Sequence, residues 1–297
     1  MKILKAMCAA AVALSLVGCA QTSNSDKELT KVTLMLDYTP NTNHTGFYVA
    51  KNKGYYKEAG LDVEDPLPIK TIATIIQHNT SGFVSLKSAN INSVKDFEGK
   101  TYAGWGAPSE EAVIKAVMNE AGADFSKLNI VGSDGSGIAG LSDEVGKNKV
   151  NLGWEFYGWA IIKALQDGYD LNYMPLADLD NRLDYYTPVI ITNKKMIKKN
   201  SDTVKKFMEA TKKGYEYAID HPSKAAEILH EDALSDTDLK FLKESQKYLS
   251  SQYAKDADSW GVMKDSVWDN YTDFMYETGL ISQKIDAKDQ YTNEFVK

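Results

Sequence analysis

The run Trp154-Glu155-Phe156-Tyr157-Gly158-Trp159 sets one carboxylate among large aromatic side chains. Such a carboxylate is costly to bury unless it meets a hydrogen-bond donor. A flat nitrogen heterocycle answers both features, since its faces stack on rings and its amino group donates to the carboxylate. The same residues also fit a strand-to-helix turn whose aromatics fill the core while Glu155 points to water. Two polar crests offer further contacts. Tyr38-Thr39-Pro40-Asn41-Thr42-Asn43-His44 follows the apolar run Lys31–Leu36, and Gln77-His78-Asn79-Thr80-Ser81-Gly82 follows Ile69–Ile76. In open α/β sheets such crests at strand ends are where ligands bind. His44 and His78 are either ligand contacts or hydrogen-bonded loop residues. Trp105 closes a third strand and is either a stacking wall or plain core.

Other chemistries find little to work with. The two cysteines, Cys8 and Cys19, both fall in the leader described below, so the mature chain has no disulfide, thiolate nucleophile or cysteine metal site. His44, His78, His221 and His230 lack metal-ligand spacing, and no metal or cofactor is expected. Gly135-Ser136-Gly137-Ile138-Ala139-Gly140 matches the dinucleotide fingerprint by letter. Ser142, Asp143 and Gly146 leave little helix behind it, however, so it is expected to be a surface loop. No phosphate loop, Gly-x-Ser-x-Gly elbow, Ser-His-Asp set or paired carboxylates can be assembled. A non-enzymatic role follows.

The elements that position these residues begin with a targeting segment. Lys2 and Lys5 precede an apolar run from Ala6 to Val17, too short to span a bilayer, and Leu16-Val17-Gly18-Cys19 resembles a lipobox. Residues 1–19 are thus expected to be a lipoprotein signal peptide with Cys19 lipidated, and 20–30 a flexible tether. That places the protein in the cell envelope, anchored to the outer face of the bacterial cytoplasmic membrane or periplasmic. Formal charge is −7, or −9 once Lys2 and Lys5 depart, which disfavours nucleic acid as a partner. At 297 residues the chain has room for one large domain or two lobes.

Strand and helix patterns alternate along the first two-thirds. A helix is expected from Thr45, interrupted at Gly54 and ending at Gly60, then strands at Leu61–Glu64 and Ile69–Ile76. Lys100–Trp105 precedes a helix capped by Ser109 and reaching Glu120. Strands follow at Leu128–Val131, Leu171–Leu176 and Thr187–Thr192, with a helix at Ala160–Gln166. The remainder reads as helices: Asp202–Ile219 capped by Ser201, Pro222 to about His230, one capped by Ser235 reaching about Ser250, and Met263–Glu277. Alternation followed by a helical tail predicts an α/β fold. The link from Glu64 to Ile69 is too short for a parallel crossover.

Leu36–Gly60, Gln77–Phe83, Gly104–Val117 and Trp154–Trp159 resemble the solute-binding proteins of pyrimidine-precursor ABC transporters. This is the NMT1-type, thiamine-biosynthesis-like branch of the type II periplasmic-binding fold, and the similarity covers nearly all the mature chain. It implies two α/β lobes joined by a hinge around a cleft, here 31–86 plus 191–297 for lobe 1 and 87–190 for lobe 2. The implied ligand is formylaminopyrimidine or hydroxymethylpyrimidine, delivered by a monomer to a membrane permease. The same class with another heterocycle or a sulfonate stays open, as does a binding-defective truncated paralogue. Carried over, Tyr38, Asn41 and His44 line one wall with His78 beside them, facing Trp105, Trp154, Glu155 and Tyr157. Pyrimidine synthases of the superfamily work through a cysteine-rich, iron-dependent motif absent from this sequence. The departure is at Glu64-Asp65. There the relatives insert a helix, a strand and another helix, so an internal deletion in lobe 1 is expected.

Overall fold

The computed structural model describes residues 30–33, 55–59, 61–64, 69–146 and 149–297. Cys19, Tyr38, Asn41 and His44 fall outside them, as do the leader and the helix expected from Thr45 to Gly54. In order come β1 (Thr30–Thr33), α1 (Tyr55–Glu58), β2 (Leu61–Glu64), β3 (Ile69–Thr74), β4 (Ser81–Leu86), β5 (Thr101–Gly104) and α2 (Pro108–Glu120). After β6 (Asn129–Gly132) and β7 (Leu152–Phe156) come α3 (Ile162–Gln166), β8 (Leu171–Pro175), α4 (Leu176–Leu179) and β9 (Val189–Asn193). The helical tail is α5 (Lys194–Lys199), α6 (Ser201–Asp220), α7 (Pro222–Ala233), α8 (Leu239–Gln252), α9 (Asp265–Glu277) and α10 (Ala287–Gln290).

Five strands form the sheet of lobe 2 in the order β6-β5-β7-β4-β8. β5 runs parallel to β6 and β7, while β4 runs antiparallel to β7 and β8. Its α2 face holds the largest core, where Phe83, Phe97, Tyr102, Ile114, Met118 and Leu152 are fully buried. Burying each such side chain contributes roughly 1.5–3 kcal/mol. Phe83 anchors this core edge-on to Phe97 and Tyr102, at 5.3 and 6.2 Å. β4 pairs along its length with β7 and β8, so residues 81–86 are part of this five-stranded sheet.

Lobe 1 is built differently. β1 pairs parallel with β2, β3 pairs antiparallel with β9, and the two pairs form separate two-stranded sheets. In lobe 2, β7 joins the parallel pair β5–β6 to the antiparallel pair β4–β8, whereas no described strand joins β1–β2 to β3–β9. Ile72, Ala73, Val204, Met208, Trp260 and Val296 belong to a second core.

The helix starts differ from expectation at three caps. Pro108 occupies the first turn of α2, with Ala107 rather than Ser109 as the flanking residue; its fixed φ suits that position. Asn200 precedes α6 and Ser201 is already helical. Asp238, not Ser235, caps α8 by accepting from the amides of Lys240 and Phe241.

Candidate functional site

Residues alternate across a strand, so β5 and β6 turn Tyr102 toward α2 and present Thr101, Ala103, Asn129 and Val131 to the opposite face. That face is only partly covered. The β6–β7 connection contributes one 3₁₀ turn, Gly137–Gly140, whose Ile138 packs on Val84 and Ile161. Between the connection and the sheet lies a cavity of about 610 Å³. It reaches the C-terminal ends of β5 and β6, where Trp105 and Ser133-Asp134 form its rim, and Glu155 near the end of β7.

Trp105 is 59% exposed and meets Trp154 edge-on at 5.1 Å, and Trp154 leans on buried Phe83 at 5.7 Å. Glu155 faces the cavity. Burial pushes its carboxyl above the ordinary range, with no hydrogen bond from the described residues offsetting that cost. Asp134 at the rim is held below the usual carboxylate range by hydrogen bonds from Ser136. No Lys, Arg or His stands among the residues described as lining the cavity.

The structure therefore gathers Trp105, Trp154 and Glu155 in one place. It sets the other described candidates elsewhere. Tyr157 opens a π-helical turn, Tyr157–Ile161, that rotates its ring away from the cavity onto Tyr173 and Tyr248, at 5.3 and 4.7 Å. His78 lies where the chain passes from β3 to β4, with Nδ1 2.6 Å from Asp184 Oδ2. Asp184 also accepts from the Asn79 amide, and the Asn79 side chain donates to the Leu183 carbonyl. These bonds tie the β3–β4 connection to the segment around Asp184, and His78 is not among the residues lining the cavity.

Glu110, in the first turn of α2, is buried at 2% exposure and accepts three hydrogen bonds beneath Trp105. The Gly-rich loop also has a place at the site. An added Cβ on Gly137 would lie 3.5 Å from Glu155 Oε1. It follows β6 as a lone 3₁₀ turn, without the helix a dinucleotide site requires. Neither placement has a sequence signal beyond the glycines themselves, because both depend on contacts between separate strands.

Comparison with known proteins places this architecture. The formylaminopyrimidine-binding protein of Halalkalibacterium halodurans is 26% identical over 260 residues, covering 73% of this chain and 75% of that protein. The riboflavin-binding protein RibY of Chloroflexus aurantiacus is 25% identical over 332 residues, covering 93% and 89%. The alkanesulfonate-binding protein SsuA from Xanthomonas axonopodis pv. citri, solved with MOPS, superposes with a TM-score of 0.55 at 11% identity, over 76% of this chain and 74% of that one. That likeness establishes the shared periplasmic-binding fold. The model of the family described as NMT1/THI5 like matches residues 41–65 and 64–225, in two pieces that meet at the Glu64-Asp65 junction. With the greater part of its length matched, the chain belongs to the NMT1/THI5-like family.

Proposed function

We propose that the protein is the extracytoplasmic solute-binding component of an ABC importer, capturing a thiamine-precursor pyrimidine and delivering it to a permease. The observation that carries this reading is the cavity that sets Glu155, without a donor among the described residues, beside Trp105 and Trp154. An aminopyrimidine supplies the missing donor and a flat face for the indoles. A sulfonate fits less well, because the described lining offers two carboxylates, Asp134 and Glu155, and no cation. The family and its pyrimidine- and flavin-binding relatives support the same ligand class. Tyr38, Asn41 and His44 would close over the ligand from lobe 1, and Cys19 would anchor the receptor, acting as a monomer, at the membrane. Among the described residues no helix is long and apolar enough to cross a membrane.

Calorimetry with formylaminopyrimidine, hydroxymethylpyrimidine, riboflavin and an alkanesulfonate tests the proposal. Heat with either pyrimidine and none with the sulfonate is expected; a folded sample silent to both pyrimidines would refute it. Turnover of any of these without a transporter would instead favour an enzyme.

A second reading rests on the split sheet of lobe 1. It is a truncated paralogue that keeps the lobe 2 half of the site but closes poorly over its ligand. Weak binding without ligand-induced compaction in small-angle scattering would favour it.

A further inference from the structure

The first turn of α2 contains a buried carboxylate with no basic partner among its hydrogen bonds. Glu110 Oε1 accepts from the Tyr102 hydroxyl at 2.5 Å and the Trp105 amide at 3.2 Å, and Oε2 accepts from the Gly106 amide at 2.8 Å. Three donors and the positive end of the helix offset the burial of the charge. The neighbouring residues are built around this arrangement. A Cβ on Gly104 would sit 2.2 Å from Glu110 Oε1, and Gly106 turns the chain at φ +80. Tyr102 is fully buried, and burial, with the hydrogen bond to Glu110 added to it, pushes its phenol well above the ordinary range.

Trp105 is the residue that this lock leaves outward. Its amide is held from below while its ring, 59% exposed, stands at the cavity rim against Trp154. An exposed indole on a free loop would lose rotational entropy each time a ligand stacked on it. Fixing its backbone beforehand removes part of that cost.

We propose that Glu110 is a positioning residue for the ligand site: its carboxylate fixes the Trp105-Gly106 backbone so that the indole is preset as the stacking wall. This rests on the pyrimidine-binding reading above. A purely structural glutamate would stabilise lobe 2 without governing Trp105, and Tyr102 allows the two roles to be separated. Tyr102→Phe removes one donor from Glu110 and leaves both backbone bonds in place.

The test compares Glu110→Gln and Tyr102→Phe, each with and without Trp105→Phe. The Trp105 share of acrylamide quenching is read by difference in the ligand-free protein, at a temperature where circular dichroism shows the fold intact. Glu110→Gln puts an amide N–H against a backbone N–H. It is expected to raise Trp105 quenching and to weaken hydroxymethylpyrimidine binding on the order of tenfold. Tyr102→Phe is expected to lower the unfolding midpoint and leave quenching and affinity in place. Unchanged Trp105 quenching in Glu110→Gln, or equal changes in both variants, would overturn the proposal. Where Glu110→Gln does not fold, Glu110→Asp, which withdraws the carboxylate by one methylene, is judged by the same readings. If the unaltered protein fails to bind hydroxymethylpyrimidine, the functional reading falls, while the ligand-free quenching still decides the role of Glu110.

Discussion

At Glu155 a half-buried carboxylate faces the cavity beside the aromatic pair Trp105–Trp154. Burial raises its pKa in the folded chain, so between the ordinary carboxylate range and the raised value the native state holds more protons than the unfolded one. Stability of the ligand-free protein therefore falls as pH rises through that window. Glu155→Gln is expected to flatten this dependence and to raise the melting temperature slightly at neutral pH, as differential scanning calorimetry would show. Binding follows the opposite course. In the proposed complex the ionised carboxylate would accept a hydrogen bond from the ligand's amino group, so Glu155→Gln is expected to weaken pyrimidine affinity by about 1–3 kcal/mol. Acidification through the same window is expected to weaken the unaltered protein's binding, and titration calorimetry at several pH values checks both. Trp154 and Glu155 stood out in the sequence because a carboxylate among indoles is chemically conspicuous, and both line the cavity. Tyr157 shared that signal, but the π-helical turn rotates it onto Tyr248, a change of helical phase that residue types do not encode.

Strand β4 is the element on which lobe 2 depends, since it pairs on both edges and carries Phe83 into the core. At Gly82 an added Cβ would lie 2.4 Å from the Met174 carbonyl oxygen, a backbone atom that cannot swing aside. Gly82→Ala is expected to push β8 from β4 and destabilise the chain by about 1–3 kcal/mol or more, read as a lower denaturation midpoint. Helix α8 crosses between the lobes. Ser245 donates to the Gly158 carbonyl at 2.5 Å, Tyr248 lies on Tyr157, and Phe241 takes Trp159 edge-on at 4.7 Å. Most of these elements could be placed from hydrophobic period and glycine punctuation: α9 ends at its glutamate just before Gly279, whose φ is +75. Caps were harder to read. Several Ser, Asn and Asp residues stand near each helix start, and tertiary geometry decides which one reaches the free amides. The reach of Glu110 back to Trp105 and Gly106 is hidden for the same reason.

Across the whole molecule, the two lobes differ in how much of their sheet is joined. Lobe 2 has β7 linking parallel to antiparallel strands, whereas β1–β2 and β3–β9 of lobe 1 share no described strand. An isolated two-stranded pair is marginally stable, so hydrogen exchange is expected to open β1–β2 well before the lobe 2 sheet. Placing a helix–strand–helix segment from a relative between Glu64 and Asp65 is expected to slow that exchange and raise the melting temperature. The four-residue link after Glu64 was legible as too short for a parallel crossover. The separation of β1–β2 from β3–β9 was not, because pairing between distant strands leaves no local sequence signal. The most direct measurement is a crystal structure of the protein grown with hydroxymethylpyrimidine. The expected result is the pyrimidine ring against Trp105 with its amino group donating to Glu155. A ring bound elsewhere, or one that leaves Glu155 without a donor, would contradict the site built here.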